Sequence, residues 1–150
     1  MRVLIDTNVI LDWIMVREPN AANAKQIMGQ CLFGKVEGYV SAHSISDIFY
    51  ILRKDFSVEK RKDLLRLLCG GLHVVPEDKD MILEVLGRDE WRDLEDGLQM
   101  QCAKEAGADY VVTQNLKDFQ KSEIEAVSEE HFCEILKSGV RKNKKRMIKS

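Results

Sequence analysis

The chain has 150 residues, the length of one globular domain of ordinary size. Hydrophobic residues make up 45% of it, which is typical of a folded protein and argues against disorder. No stretch approaches the roughly 18 consecutive apolar residues of a membrane span. No leader with a charged part and then an apolar part precedes the first strand pattern at Val3. We therefore expect one cytoplasmic domain that does not contact a membrane.

The net charge of −2 conceals an uneven distribution of charged residues. Residues 140–150 hold six of the 23 basic residues and none of the 25 acidic ones, so the rest of the chain has 17 basic residues against 25 acidic ones. An acidic body with a basic tail favours cations at one place and polyanions at another. We predict a folded domain over 1–138 and a basic C-terminal tail over 139–150. A solvated, frayed terminus explains the tail equally well.

The four cysteines and three histidines are scattered along the chain. No C-x-x-C pair occurs and no histidine stands in ligand register with a cysteine, which argues against a zinc site and a Cys/His nucleophile. We expect reduced cysteines packed in the interior. The chain also has no glycine-rich phosphate loop, which excludes the nucleotide-binding NTPases that use one.

The chain opens on a short apolar run from Val3 to Ile5, the pattern of a strand buried on both faces of a parallel sheet. Apolar residues recur at helical spacing directly after Asp6, so this acid ends the first strand and precedes the first helix. Open α/β sheets bind their ligands at the carboxyl ends of strands, where Asp6 lies. The alternative is that Asp6 only caps the helix, which Asp does well.

The rest of the chain alternates between helical and strand patterns. Helices are predicted to begin near Pro19 and after Ser44 and Ser57, and the four leucines of 64–68 are expected to face the core. The later strand patterns lie at 38–41, 72–75, 108–113 and 126–127. This alternation predicts a three-layer α/β/α fold with a mostly parallel central sheet of four to five strands.

Four aspartates stand where chemistry is expected. They are Asp6 after the first strand, Asp47 in the third helix, Asp96 at the start of a late helix and Asp118 after the fourth strand. Each has an ordinary explanation as a cap, a turn residue or an exposed acid. Carboxylates gathered at one edge of a sheet nevertheless repel one another unless a divalent cation neutralises them. Because no His or Cys is expected nearby, these oxygen ligands favour Mg²⁺ or Mn²⁺.

Three motifs in this order resemble the PIN domain family: D-T-N at 6–8, E-D-G-L-Q at 95–99 and T-Q-N-L-K-D-F at 113–119, with S-D-I at 46–48 between the first two. The likeness runs from residue 2 to about residue 136. It implies a metal-dependent ribonuclease with a parallel α/β sheet. Many small members are toxins of the VapC type, which an antitoxin protein neutralises and which often form dimers. The resemblance therefore implies an RNA substrate, an antitoxin partner and a homodimer.

The resemblance also implies roles for single residues. Asp6, Asp47 and Asp96 resemble the acidic metal-binding core of the family, and Asp118 resembles its fourth, more variable acidic position. The polar residues implied to orient carboxylates or water are Thr7, Asn8, Thr113 and Asn115. Many members have Glu at the place of Asp47, so it is open whether this shorter side chain binds metal directly or through water. Adjacent helical residues point about 100° apart, so we do not expect Glu95 and Asp96 to serve one ion.

The expected mechanism is hydrolysis of RNA by a metal-activated water without a general-base histidine. RNA phosphates need basic groups beside an acidic cleft. The candidates are Arg53, Lys54, Lys117 and Lys121, together with Arg141 and Lys142 in the tail. The tail has the alternative role of contacting a partner protein or a second subunit. The alternative for the whole chain is a catalytically silent PIN-like binding or assembly module in RNA metabolism, which metal titration would distinguish.

Overall fold

A computed structural model of the protein describes residues 1–139. The five strands are β1 (Arg2–Ile5), β2 (Glu37–Ser41), β3 (His73–Val75), β4 (Tyr110–Val112) and β5 (Ala126–Val127). The seven α-helices are α1 (Thr7–Met15), α2 (Ala21–Leu32), α3 (Ala42–Ile51), α4 (Val58–Gly71), α5 (Lys79–Leu86), α6 (Leu94–Glu105) and α7 (Glu129–Ser138). Two short 3₁₀ turns lie at Leu52–Lys54 and Leu116–Phe119.

The five strands form one sheet in the order β3-β2-β1-β4-β5, and every neighbouring pair is parallel. Leu4 of β1 pairs with Tyr39 on one side and with Val111 on the other, which fixes the register at the centre of the sheet. From β1 the chain builds outward through β2 and β3, and then returns to add β4 and β5 on the other side. The switch in strand order therefore lies between β1 and β4, the place where such sheets bind ligands.

Helices cover both faces of the sheet, and alternate residues of β1 show this most clearly. Val3 and Ile5 belong to a core shared with α1, α2, α3, α4 and α7, whereas Leu4 belongs to a second core shared with α5 and α6. All three side chains are fully buried, as a central strand of a parallel sheet requires. The predicted three-layer α/β/α fold with four to five mostly parallel strands is thus confirmed.

The joins between strands and helices are very short at the edge that carries the candidate site. Asp6 alone separates β1 from α1, and no residue separates β2 from α3. Ser41, the last residue of β2, therefore takes the N-cap position of α3. The prediction that Ser44 caps this helix is wrong, because the strand runs directly into the helix and leaves Ser44 buried in its first turn.

Helix α4 agrees with the sequence-based prediction at its N-cap and differs from it on its leucine face. Ser57 caps α4 as predicted, since its hydroxyl accepts a hydrogen bond from the Lys60 N–H at 3.2 Å. Leu67 was expected to face the core, but it is 51% exposed because only Leu68 and, in part, Leu64 and Leu65 of this helix turn inward.

The termini of the described part bear on the remaining predictions. Helix α7 ends at Ser138, where Gly139 takes a left-handed conformation with φ of 37°. Arg141, Lys142 and the rest of the basic tail lie outside the described residues, so the division at 138 stays a prediction. Within 1–139, no helix is both long enough and apolar enough to cross a membrane. The four cysteines are free, and of these only Cys69 is exposed.

Gly97 in α6 gives a test of how tightly the second core is packed. A methyl group at this position would overlap the Val85 side chain and lie 3.1 Å from Cβ of Trp91. Overpacking costs about 1–3 kcal/mol, which outweighs the gain of about 1 kcal/mol in helix propensity. We expect Gly97→Ala to lower the midpoint of thermal unfolding by a few degrees in calorimetry.

Gly29→Ala is the matched control, because Gly29 lies within α2 and nothing would contact its methyl group within 4 Å. This variant should be as stable as the wild type or up to about 1 kcal/mol more stable. Equal gains in both variants would contradict the close packing of α6 against Val85 and Trp91.

Candidate functional site

Asp6 lies at the switch point of the sheet, directly after β1 and beside the end of β4. Its backbone N–H donates to the Val112 carbonyl at 3.0 Å, which continues the strand pairing by one residue. Its φ of −69° and ψ of 151° keep it extended at the N-cap position of α1, where its carboxylate accepts a hydrogen bond from the Thr7 N–H at 2.8 Å. Asp6 therefore does cap the helix, and the same position brings its carboxylate to the ligand-binding edge.

Both carboxylate oxygens of Asp6 are held by donors from other elements. The Thr113 hydroxyl after β4 donates to Oδ2 at 2.8 Å, and Gln99 Nε2 of α6 donates to Oδ1 at 3.2 Å. The residue is only 7% exposed. Burial raises the pKa of Asp6 above its ordinary value, and hydrogen bonds from Thr113 and Thr7, with the charge of His43, oppose this rise in part.

The carboxylate opens into a cavity of about 160 Å³. This volume has room for about five waters or ligand oxygens at roughly 30 Å³ each. The lining residues are Asp6, Thr7, Asn8, Asp47, Ile51, Glu95, Asp96, Gln99 and Asn115. Three of the four predicted aspartates thus meet in one cavity. Within 1–139, no lysine or arginine lines this cavity.

Asp96 is the acid most affected by this crowding. Burial and the nearby charges of Asp93, Asp118, Asp6 and Glu95, in that order, raise its pKa to about 6. A bound divalent cation would favour the ionised form of all these groups. The raised pKa of Asp96 is therefore what we expect where acids gather at a cation-binding site.

Asp118 lies in a second depression of about 310 Å³, which shares Asp96 with the first cavity. Asp93, Lys117 and Lys121 also line this depression. Asp118 does not line the cavity of Asp6, although its charge contributes to the raised pKa of Asp96. The structure thus brings Asp6, Asp47 and Asp96 together and leaves Asp118 beside them.

The four predicted supporting residues lie at or beside the cavity that Asp6 lines. The Thr7 hydroxyl donates to Ser44 Oγ at 2.8 Å, and Thr113 Oγ1 accepts from the Asn115 N–H at 3.0 Å. Asn8 and Asn115 line the cavity, and within 1–139 neither side chain bonds a carboxylate. Thr113 contacts Asp6 through its side chain and Thr7 does so through its backbone, whereas the roles of Asn8 and Asn115 stay predictions.

Gln99 is a residue of the site that the sequence analysis did not single out. It is 2% exposed and donates from Nε2 to Asp6 and, at 3.0 Å, to Ser44 Oγ. Its Oε1 is buried and has no hydrogen-bond partner among residues 1–139. This unsatisfied acceptor fits a site that takes up a water or a hydrated ion, because buried polar atoms are rarely left unpaired. The signal available in the sequence was its place at the end of the E-D-G-L-Q motif at 95–99.

The expectation that no histidine lies near the acids is wrong. His43, Asp47 and Glu95 each offer one possible ligand atom, and these atoms all lie within 4.8 Å of one another. His43 and Asp47 stand four residues apart on α3, so both side chains share one face of the helix. Burial, together with the charge and a hydrogen bond of Asp47, raises the pKa of Glu95. Glu95 therefore faces Asp47, whereas Asp96 faces the other acids.

The candidate RNA-binding cations that the structure describes occupy two places. Lys117 and Lys121 line the depression of Asp118. Arg53 and Lys54 lie in the 3₁₀ turn that follows α3, and the Arg53 guanidinium stacks 3.8 Å from the centroid of the Tyr50 ring. Ile51, just before this turn, lines the cavity of Asp6.

A second pair of buried acids lies between α1 and α7. Gln114 donates from Nε2 to Asp12 and also to Glu129 at 2.9 Å, and Arg17 Nε donates to the other oxygen of Asp12 at 2.9 Å. Burial and the neighbouring Asp12 raise the pKa of Glu129 to about 8, and the hydrogen bond from Gln114 and the charge of Arg17 oppose this only in part. Gln114 stands between Thr113 and Asn115, so this pair adjoins the site.

The chain is similar to proteins of known class. A family model described as PIN domain matches residues 2–117. Ribonuclease VapC1 of Aquifex aeolicus (strain VF5) is 30% identical over 139 residues, which cover 89% of this chain and 94% of that protein. A toxin-antitoxin complex from Klebsiella pneumoniae has 19% identity, 85% and 97% coverage and a TM-score of 0.66. VapBC-1 from nontypeable Haemophilus influenzae has 18% identity, 87% and 99% coverage and a TM-score of 0.63.

The Glu129 pair gives a pH prediction for the metal-free protein. Because folding raises the Glu129 pKa from an ordinary 4.5 to about 8, the folded state favours the protonated form. This contribution to stability is fully present below about pH 4.5 and is lost as the pH rises through 8. We expect the unfolding temperature of the metal-free protein to fall between pH 5 and pH 8 in calorimetry. Glu129→Gln, which cannot ionise, should show a smaller fall, and an equal fall in both proteins would contradict the assignment.

Proposed function

This chain belongs to the PIN domain family, and from that premise we propose that it is a Mg²⁺- or Mn²⁺-dependent endoribonuclease that hydrolyses RNA phosphodiester bonds in the cytoplasm. The observation that carries the proposal is the meeting of Asp6, Asp47 and Asp96 in one cavity at the carboxyl edge of the parallel sheet. The relative from Aquifex aeolicus, a ribonuclease by name, supports the same activity.

Asp6, Asp47 and Asp96 would hold the divalent ion, since hard cations prefer carboxylate oxygens. The direct role for Asp47 is supported by its place in the same cavity as the other two. The ion, when bound, lowers the pKa of a water and stabilises the charge that develops on the phosphate. Asp118, in the adjoining depression, would act on this site through its charge.

The protein's own contribution is to fix these acids in place. Thr113, directly after β4, and Gln99 of α6 hold the Asp6 carboxylate from two sides, so its orientation is set before substrate arrives. Gln99 Oε1, which has no hydrogen-bond partner within 1–139, would accept a hydrogen bond from a water that enters the cavity. Thr7, through Ser44, ties the start of α1 to α3, which carries Asp47.

Basic residues at the rim would bind the RNA backbone. Lys117 and Lys121 share a depression with Asp96, so they stand where phosphates must approach the acids. Arg53 and Lys54 would extend this surface on the side of α3. Arg141 and Lys142, outside the described residues, would add affinity that is independent of sequence and sensitive to salt.

We also propose that the chain is the toxin of a toxin-antitoxin pair and forms a homodimer. The solved complexes from Klebsiella pneumoniae and Haemophilus influenzae support an antitoxin partner, since proteins of this fold occur there in such complexes. Large apolar side chains at the surface are available for contacts with an antitoxin and with a second copy of the chain. They include Val16, Phe33, Tyr50, Leu83 and Leu86.

The nuclease proposal is tested by cleavage of a pool of structured RNAs with Mn²⁺, with Mg²⁺ and with chelator. We expect the wild type to cleave only with metal. Asp6→Asn keeps the shape of the side chain and removes its charge, so cleavage should fall at least about a hundredfold, as loss of several kcal/mol of metal stabilisation implies. Folding of the variant is checked by circular dichroism.

Asp63→Asn is the matched control, because Asp63 is an exposed acid of α4 whose one ion pair among the described residues is with Arg66. It should cleave RNA like the wild type. In a binding assay with the same RNAs, Lys121→Ala should weaken RNA binding and reduce the dependence of the affinity on salt. Cleavage that survives both chelator and Asp6→Asn would contradict the mechanism. A folded wild type that is inert with every metal and RNA would favour the binding-module alternative.

The toxin proposal predicts that expression of the chain alone stops growth of a bacterial host and that expression of Asp6→Asn does not. Co-expression with the product of a small neighbouring gene should restore growth, and the two proteins should purify together. Light scattering of the Asp6→Asn protein should give about twice the chain mass of 17.2 kDa. A harmless wild type that cleaves RNA in vitro would contradict the toxin role alone.

A further inference from the structure

We propose that His43, Asp47 and Glu95 form a second metal position at the same cavity, one that takes an imidazole-preferring transition ion such as Zn²⁺ or Co²⁺ in preference to Mg²⁺. Asp47 would be shared with the Mg²⁺ or Mn²⁺ position of the proposed function, and to that extent the inference rests on it. Binding of the transition ion itself does not depend on RNA cleavage.

The geometry of the three side chains is close to that of a bound ion. Their ligand atoms lie within 4.8 Å of one another before any ion is present. Ligands about 2.1 Å from a tetrahedral ion lie roughly 3.4 Å apart. Side-chain adjustments of little more than 1 Å would therefore close the set. His43 and Asp47 come from one face of α3 and Glu95 from the first turn of α6, so the ion would bridge two helices.

Glu77 orients the imidazole in the way that metal-binding histidines require. Its Oε2 lies 2.7 Å from His43 Nδ1, and its Oε1 accepts the His43 backbone N–H at 2.6 Å. The Glu77 side chain is 7% exposed, so this arrangement is well packed. With Nδ1 engaged, Nε2 is the nitrogen left for a metal. A carboxylate that holds the second nitrogen is a regular feature of metal-bound histidine.

A separate observation indicates that the cavity takes a ligand. Asp47 and Glu95 line it together with Gln99, whose Oε1 is buried and has no hydrogen-bond partner among the residues that the structure describes. Neither carboxylate has an arginine or lysine partner within the part of the chain that the structure describes. An imidazole with carboxylates favours Zn²⁺ or Co²⁺, whereas carboxylates and water alone suit Mg²⁺. The alternative is a protonated His43 that neutralises the two acids without a metal.

Metal binding to the full-length, metal-free protein separates these alternatives. We expect Co²⁺, added in the presence of saturating Mg²⁺, to bind with visible absorption bands of a low-coordinate site. In spectra of the ¹⁵N-labelled imidazoles, Zn²⁺ should shift the Nε2 resonance of His43 and leave that of His131 unchanged. This second measurement needs no variant, so it holds even where a substitution disturbs folding.

The variants then assign the ligands. His43→Gln and Glu95→Gln should each weaken Co²⁺ binding at least tenfold and leave Mg²⁺ binding in place. His131→Gln is the matched control, because His131 is exposed in the first turn of α7. It should bind Co²⁺ like the wild type. Unchanged Co²⁺ affinity in His43→Gln, or an unshifted His43 resonance with Zn²⁺, would overturn the proposal.

The outcomes also separate this inference from the nuclease proposal. If His43 binds no metal and Mg²⁺-dependent RNA cleavage persists, the second position is overturned and the nuclease stands. If Co²⁺ binds through His43 and no RNA is cleaved with any metal, the nuclease proposal fails and the metal position stands. Asp6→Asn should lose Mg²⁺ binding and keep the Co²⁺ absorption, because Asp6 is not one of the three ligands.

Discussion

The anchoring of the Asp6 carboxylate is the constraint on which the rest of the site depends. A buried carboxylate is costly unless donors surround it, and here the donors come from three places: the start of α1, the end of β4 and the middle of α6. Each donor requires its own element to lie in one position. The order of the sheet, with β4 beside β1, and the packing of α6 on the second core are thus tied to a single side chain.

Electrostatic repulsion is the second organising feature. The fold brings Asp47, Glu95 and Asp96 near Asp6, and burial together with the charges of neighbouring acids raises the pKa of Glu95 and of Asp96. Such an arrangement is stable in a packed protein only when rigid neighbours enforce it. The two cores supply that rigidity, because the acids extend from helices that are buried on the opposite side. The repulsion between these acids and their capacity to bind a cation therefore have the same origin, which is their close approach at the carboxyl edge of the sheet.

Much of the fold could be predicted from the sequence because its signals are local. The apolar run of β1, the acid that ends it and the serine that caps α4 each depend on neighbours along the chain. His43 and Gln99 could not be assigned in this way, since their partners Glu77 and Asp6 lie far away in the chain. Leu67 shows the same limit, because a row of leucines indicates a core face without fixing its angle.

Strand β2 passes directly into α3, and a single residue separates β1 from α1. These joins are therefore too short to absorb an insertion without moving a helix. An inserted residue between β2 and α3 would rotate α3 by about 100° and carry Asp47 away from the other acids. The longer connections, 87–93 and 113–125, border the second depression, so a change in their length would alter the rim of that depression. The joins that position Asp6 and Asp47 must keep their length, whereas 87–93 and the part of 113–125 that follows Asp118 can change in length without moving these acids.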